Sequence, residues 1–249
     1  MNVHGEKLWN FMLTIARNGQ ILGLLLGPPC ETWSIARYAQ LLDESGNVKK
    51  GPRPLRDDPQ CWGLPKLSLR ELEQISVGNS LLLKGLWLCA PVALHGGAVL
   101  LEHPAPAFDM DKPSIWRTGV IRLLLREGWL FRRTTFKQGH FGAIGSKPTT
   151  LLYANNEIPS ILAEFAQPLP AQQAGLIEID HEGNFRTMKA KEYPSQLCSC
   201  FAIAFWRHLQ TKAWSGTSAP LDAWVSQLVA ASARVDPGGM LRPDYQPKS

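Results

Sequence analysis

The 249-residue sequence contains no G-x-G pattern, which removes the familiar glycine turns that cradle dinucleotides and similar cofactors. No apolar run reaches the ~20 residues that a membrane-spanning helix needs. The opening residues, MNVHGEKLWNF, carry charge where an export signal would carry its apolar core. Neither a membrane span nor a secretory signal is expected. Charged residues are scarce, at 19% against 45% hydrophobic, so a charge-extended disordered chain is excluded and a sizeable core is affordable. The five cysteines, Cys30, Cys61, Cys89, Cys198 and Cys200, are odd in number, which argues against a fully paired disulfide framework. A reduced, intracellular protein is expected, nuclear in a eukaryote. Lys and Arg exceed Asp and Glu by 26 to 21, a mild +5 that suits a polyanion partner without demanding one.

What is present reads as alternating helices and strands. Leu8, Phe11, Met12 and Ile15 recur at helical spacing, with Gly19 as the stop. ILGLLL at 21–26 is wholly apolar and runs into Gly27-Pro28-Pro29, as a buried parallel strand feeding a rigid loop would. Residues 43–67 form a polar, Pro- and Gly-rich insert carrying Lys49, Lys50, Arg53 and Arg56. Ser68 with Glu71 predicts a capping box, followed by a long buried helix to Leu94 with a possible break at Pro91. Strands are expected at 98–104, 129–138 and 149–155, and helices from Ser114 to Arg126, from Pro194 to about Leu209 and over 221–234. IEID and NFRTMKA around His181-Glu182-Gly183 suggest a hairpin. The order predicts an α/β fold with a largely parallel sheet, in which ligands gather beyond the carboxyl ends of the strands. Cys30 and Glu102 both sit at such ends.

The string Gly27-Pro28-Pro29-Cys30-Glu31-Thr32-Trp33-Ser34 holds a thiol on a stiffened loop, where a following helix N-terminus can lower its pKa. An isolated Pro-Pro-Cys is more often a turn with a structural cysteine. The full string, however, resembles the nucleophile motif of cytosine-C5 DNA methyltransferases: Gly-Pro-Pro-Cys, two variable residues, an aromatic residue and Ser. VLLEHPAP resembles the family's Glu-Asn-Val motif, with Glu102 keeping the acid and His103 and Pro104 replacing its neighbours. The stretch Lys137-Gln138-Gly139-His140-Phe141-Gly142 to Lys147 is similar to the family's Tyr-Gly turn and Gln-Arg motif, with neither arginine kept and Lys147 the nearest cation. Tyr193-Pro194 and the helix behind it resemble the family's closing helix.

The resemblance covers roughly residues 8–210 and implies a Rossmann-like methyltransferase fold. It implies methyl transfer from S-adenosylmethionine to cytosine C5 in DNA, with RNA as a possible substrate. Cys30 would add to C6 of a flipped base and Glu102 would hold N3, while Pro29, Ser34, Arg53, Arg56 and Lys147 would contact the substrate. The family's Phe-x-Gly-x-Gly cofactor loop has no counterpart before Cys30, so a fold truncated at its N-terminus and weak or absent cofactor binding are expected. The expected organisation is a catalytic domain over 1–210 with the insert 43–67, a helical extension over 211–236 and a disordered tail over 237–249. A catalytically inactive remnant that binds nucleic acid or a protein partner is the alternative. A cysteine hydrolase ranks behind both, because its only candidate base near a matched motif, His103, adjoins the acid on one strand. Cys198, Cys200 and His208 could suggest a metal, but i and i+2 on a helix do not face together, so core packing is the expectation. Trp62, Trp87, Trp116, Trp129, Trp206, Trp214 and Trp224 are expected in the core or in a lid rather than as base-stacking platforms.

Overall fold

The computed structural model describes residues 3–38, 41–42, 48–49, 52–126, 130–143, 145–169 and 192–211. The hairpin expected around His181, the helix at 221–234, the tail, Lys50, Trp129, Trp214 and Trp224 lie outside them.

The chain opens with α1 (Val3–Arg17), then β1 (Gly23–Leu26) and a 3-10 turn (Ile35–Tyr38). A two-residue ladder of β2 (Leu41–Leu42) and β3 (Val48–Lys49) lies within the insert. There follow α2 (Leu69–Leu94), β4 (Ala98–Pro104), a 3-10 turn (Ile115–Arg117) and α3 (Gly119–Leu124). The last elements are β5 (Arg132–Lys137), a 3-10 turn (Gln138–Phe141), β6 (Pro148–Ala154), α4 (Ile158–Phe165) and α5 (Ser195–Thr211).

The main sheet has four strands in the order β1-β4-β6-β5. Only β1 and β4 pair in parallel; β6 is antiparallel to both β4 and β5. The expected largely parallel sheet therefore does not form, and the reason lies in the connections. A parallel pair needs a crossover of a dozen or more residues. The insert and α2 supply one between β1 and β4. Between β5 and β6 there is only the turn at 138–147, which can return the chain antiparallel and no other way. β5 consequently runs in the same direction as β1 and β4, and β6 alone is reversed.

Helices cover both faces. Leu24, Val99, Leu101, Leu152 and Ala154 pack with α2 and α3 and with Ala16 of α1. On the other face Leu100 and Leu151 pack with Ile158, Ile161 and Leu162 of α4 and Leu197, Cys200, Phe201 and Ala204 of α5. β4 is thus buried on both faces, which is why AVLLE shows no polar alternation.

Several helices differ in detail from the pattern read in sequence. α1 presents Trp9, Met12, Leu13 and Ala16 to the core and leaves Leu8 and Phe11 outside. The Trp9 indole packs tilted against Trp87 of α2, the ring centres 6.1 Å apart, on the face that α1 turns to the core. α2 starts on the expected box: Glu71 accepts from both the backbone and the hydroxyl of Ser68, each at 2.8 Å. It runs unbroken through Pro91, because a ring three residues from the helix end costs one hydrogen bond and no following turn. By length and composition α2 could cross a membrane, but most of it is buried within the protein. The helix expected from Ser114 to Arg126 is split, since the Thr118 hydroxyl accepts from Ile121 N and caps a separate α3.

Candidate active site

Cys30 follows β1 in an extended Gly-Pro-Pro segment, and its carbonyl accepts from Trp33 N at 2.9 Å to close a tight turn. What comes next is a four-residue 3-10 turn, not the α-helix whose N-terminus could stabilise a thiolate. The Ser34 hydroxyl caps that turn by accepting from Ala36 N at 3.2 Å. Pro29 and Cys30 are half-buried. Burial pushes the Cys30 thiol up, and the carboxylate of Glu102 pushes it further; the cation of Lys147 pulls it back in part. The expected activation by a helix end is therefore absent, and Lys147 is the main group favouring the thiolate.

Glu102 lies at the end of β4, 6% exposed. Three elements distant in sequence supply its partners. The Tyr193 hydroxyl, just ahead of α5, donates to Oε2 at 2.9 Å. Gln138 Nε2 donates to Oε1 at 3.3 Å and to Thr149 Oγ1 at 3.0 Å. Lys147 Nζ stands 3.9 Å from Oε1. Burial raises the pKa of Glu102, opposed by Lys147 and by the bond from Tyr193. Gly27 makes room for the tyrosine: a Cβ there would stand 2.8 Å from its hydroxyl. Lys147 adopts φ +27°, a backbone region uncommon for a side-chain-bearing residue, and such strain is held where the surroundings fix it. Cys30, Glu102 and Lys147, each identified in sequence, thus come together. Tyr193 and Gln138, which the sequence placed within motif-like stretches without marking them as site residues, join them. The available signal was a polar aromatic directly before a Pro-initiated helix, and a Gln at the close of a strand.

Two residues expected to contact the substrate, Arg56 and Arg53, make bonds within the protein. Arg56 is 0% exposed and its guanidinium is fully engaged. Nε and Nη2 donate to Thr32 Oγ1 at 3.0 and 2.9 Å, and Nη1 donates to the Cys61 carbonyl and Asn79 Oδ1, both at 2.7 Å. Its plane lies 4.0 Å from the Trp33 ring centre, and burial without a carboxylate lowers its pKa to about 9. Arg53 is tied to Glu71 through two bonds of 2.6 and 2.7 Å. Arg37 adds bonds to the carbonyls of Glu31 at 2.7 Å and Arg53 at 2.9 Å. Residues 52–62 of the insert thus fold back as a clamp on the segment after the thiol. Arg56 and Arg53 hold the loop in place, since a guanidinium fork can satisfy several acceptors at once. Lys49 lies in β3, and its side chain is outside the described residues.

His103 cannot serve Cys30 as a base. It faces away from Glu102, edge-on between Trp33 at 6.3 Å and Trp116 at 6.5 Å, and burial lowers its pKa to about 3. Among the described residues no cluster of His, Cys, Asp and Glu could hold a metal; Cys200 and His208 are buried in α5 while Cys198 is exposed. Trp116 is in the core and Trp62 and Trp87 pack against it, whereas Trp206, expected in the core or in a lid, is exposed and outside the core. Among the described residues ahead of Cys30, α1 is followed by β1, and the strand and glycine turn that could approach a ribose or a methionine are not among them. The chain matches no family model, no curated protein and no solved structure.

Proposed function

We propose that this chain is the base-handling part of a cytosine-C5 methyltransferase of the Rossmann-like type, acting on DNA with RNA as the alternative substrate. The observation that carries the reading is the meeting of Cys30, Glu102 and Lys147 at one end of the sheet, brought there by separate elements. Three of the four main strands run one way and present that end, as ligand-binding α/β sheets do.

The electrostatics suit the chemistry. One negative charge is available to two groups, and Lys147 balances it wherever it resides. At rest the charge belongs on Glu102, where Tyr193 and Lys147 support it. A cytosine entering with N3 towards Glu102 favours the protonated acid, which moves the charge to sulfur. The thiolate then forms the S–C6 bond, the C5=C6 electron pair moves to C5, and the acid's proton goes to N3. C5 is then able to take an electrophile. Loss of a proton from C5, departure of the thiolate and return of the N3 proton to Glu102 restore the ring. S-adenosylmethionine is the methyl donor that the resemblance implies, and the described residues offer no cradle for it.

The test needs no methyl donor, because the adduct can take a deuteron at C5 from solvent. Incubated with cytosine-containing DNA in D₂O, the chain is expected to exchange C5–H for deuterium, read by mass spectrometry of released nucleosides. Cys30→Ser should abolish exchange and Glu102→Gln should cut it by roughly 10²-fold or more, the scale of a lost proton donor. Exchange that survives Cys30→Ser would overturn the nucleophile. The rival is a remnant that binds nucleic acid without chemistry, favoured by the raised thiol of Cys30. DNA binding with no exchange would establish it.

A further inference from the structure

Arg53 and Arg56 are engaged within the insert, which directs attention to the other basic residues of the described chain. Residues 113–156 hold seven of the chain's Lys and Arg and a single acid, a net +6 against +5 for all 249 residues. Five of these cations, Arg122, Arg126, Arg132, Arg133 and Lys137, are exposed, and among the described residues none is in an ion pair. These exposed cations lie on α3, just after it, and on β5, an edge strand of the main sheet.

We propose that this edge is a phosphate-binding ridge that lays a nucleic-acid backbone along β5 and into the Cys30 site. Direction supports it. β5 runs parallel in sense to β1 and β4, so Lys137 lies at the site end and Arg132 about 17 Å away at the other. Lys137 pairs with Pro148, the neighbour of Lys147, and Gln138 next to it donates to Glu102. The β5 cations thus lead towards the end of the sheet where the base-handling groups meet. Arg133 and Lys137 share one face of the strand, about 13 Å apart, a span that suits alternate phosphates of an extended strand. The proposal rests on the functional reading above for the identity of the ligand but not for its test.

Cations on an edge strand also serve to block unwanted strand pairing, and that role must be separated. Glutamate blocks pairing as well as arginine does but repels phosphate. Full-length chain carrying Arg132→Glu, Arg133→Glu and Lys137→Glu should stay monodisperse by light scattering. Binding to a 20-base-pair duplex and to a single-stranded RNA, by fluorescence anisotropy without cofactor, should weaken at least 10-fold. The log–log salt slope on duplex should become shallower by about 0.9 per lost contact. Lys7→Glu on α1 should change affinity less than 2-fold. If the triple variant aggregates, the single variants Arg133→Gln and Lys137→Gln decide by the same slope. Wild-type affinity and slope in the variants, or no binding of either nucleic acid by the wild type, would overturn the ridge. C5–H exchange is scored separately: its absence with ridge-dependent binding removes the catalytic reading alone. The duplex and RNA arms show which polymer supplies the phosphates.

Discussion

Tyr193 donates its hydroxyl to Oε2 of Glu102 at 2.9 Å, joining the entrance of α5 to the end of β4 across 91 residues of chain. The ring also meets Phe201 edge-on at 5.7 Å, so one side chain both anchors a helix and orients the acid.

That bond favours the ionised carboxylate. Tyr193→Phe keeps the ring packing and removes it, so the pKa of Glu102 should rise further above its already raised position. The pH at which C5–H exchange falls off on the alkaline side should shift upward with it. Gly27→Ala should act in the same direction, because its Cβ displaces the hydroxyl, and should cost about 1–3 kcal/mol in chemical denaturation. An unshifted profile in both variants would remove Tyr193 from the site.

Cys30 should alkylate slowly at neutral pH, since burial and Glu102 both hold the thiol protonated. Glu102→Gln removes a raising charge and should move the midpoint of the rate–pH curve down. Lys147→Met removes a lowering charge and should move it up. Peptide-resolved mass spectrometry with iodoacetamide is the measurement, because exposed Cys198 reacts independently. Opposite or absent shifts would show that the three groups do not share a field.

Glu102 also makes stability depend on pH. Its folded pKa is raised, so the folded chain holds that proton more tightly than the unfolded chain. The contribution is fully present below the unfolded value, about 4.3, and is lost as pH rises through the folded one. Urea midpoints of wild type should therefore fall relative to Glu102→Gln between pH 4 and pH 8. A constant difference would mean that the site leaves the carboxyl at its ordinary value.

Arg56 and Arg53 lie three residues apart and should behave differently. Arg56→Met leaves Thr32, Asn79 and the Cys61 carbonyl without their donor and should cost roughly 2–4 kcal/mol. It should also slow C5–H exchange by loosening the segment after Cys30. Arg53→Ala breaks a surface pair with Glu71 and should change urea stability little. Equal effects would mean that the clamp does not depend on Arg56.

Much of the framework was legible in sequence because it is written in local periodicity. Ser68 and Glu71 marked the start of α2, AVLLEHP became β4 at the expected residues, and Pro194 preceded α5. The short α4 was not foreseen, since IPSILAEF is only eight residues and its apolar pattern fits a strand nearly as well. The role of Arg56 was misread for a related reason. A cation in a Pro- and Gly-rich loop looks solvated until the loop's path is known, and here that path returns to Thr32 and Trp33.

The sequence by itself determined which chemical groups this chain owns: a thiol behind two prolines, a carboxylate at the end of a buried strand, and a basic stretch from Arg117 to Lys147. Short-range rules suffice for these, because proline stiffness, strand burial and charge density are local properties. Only the tertiary structure decided which groups meet. It reversed β6 and so placed Lys147 and Thr149 beside the acid, it brought Tyr193 onto Glu102, and it buried Arg56 while leaving Arg132, Arg133 and Lys137 outside. Those outcomes depend on strand order and on the length of the connections, which couple residues tens of positions apart and leave no periodic trace along the chain.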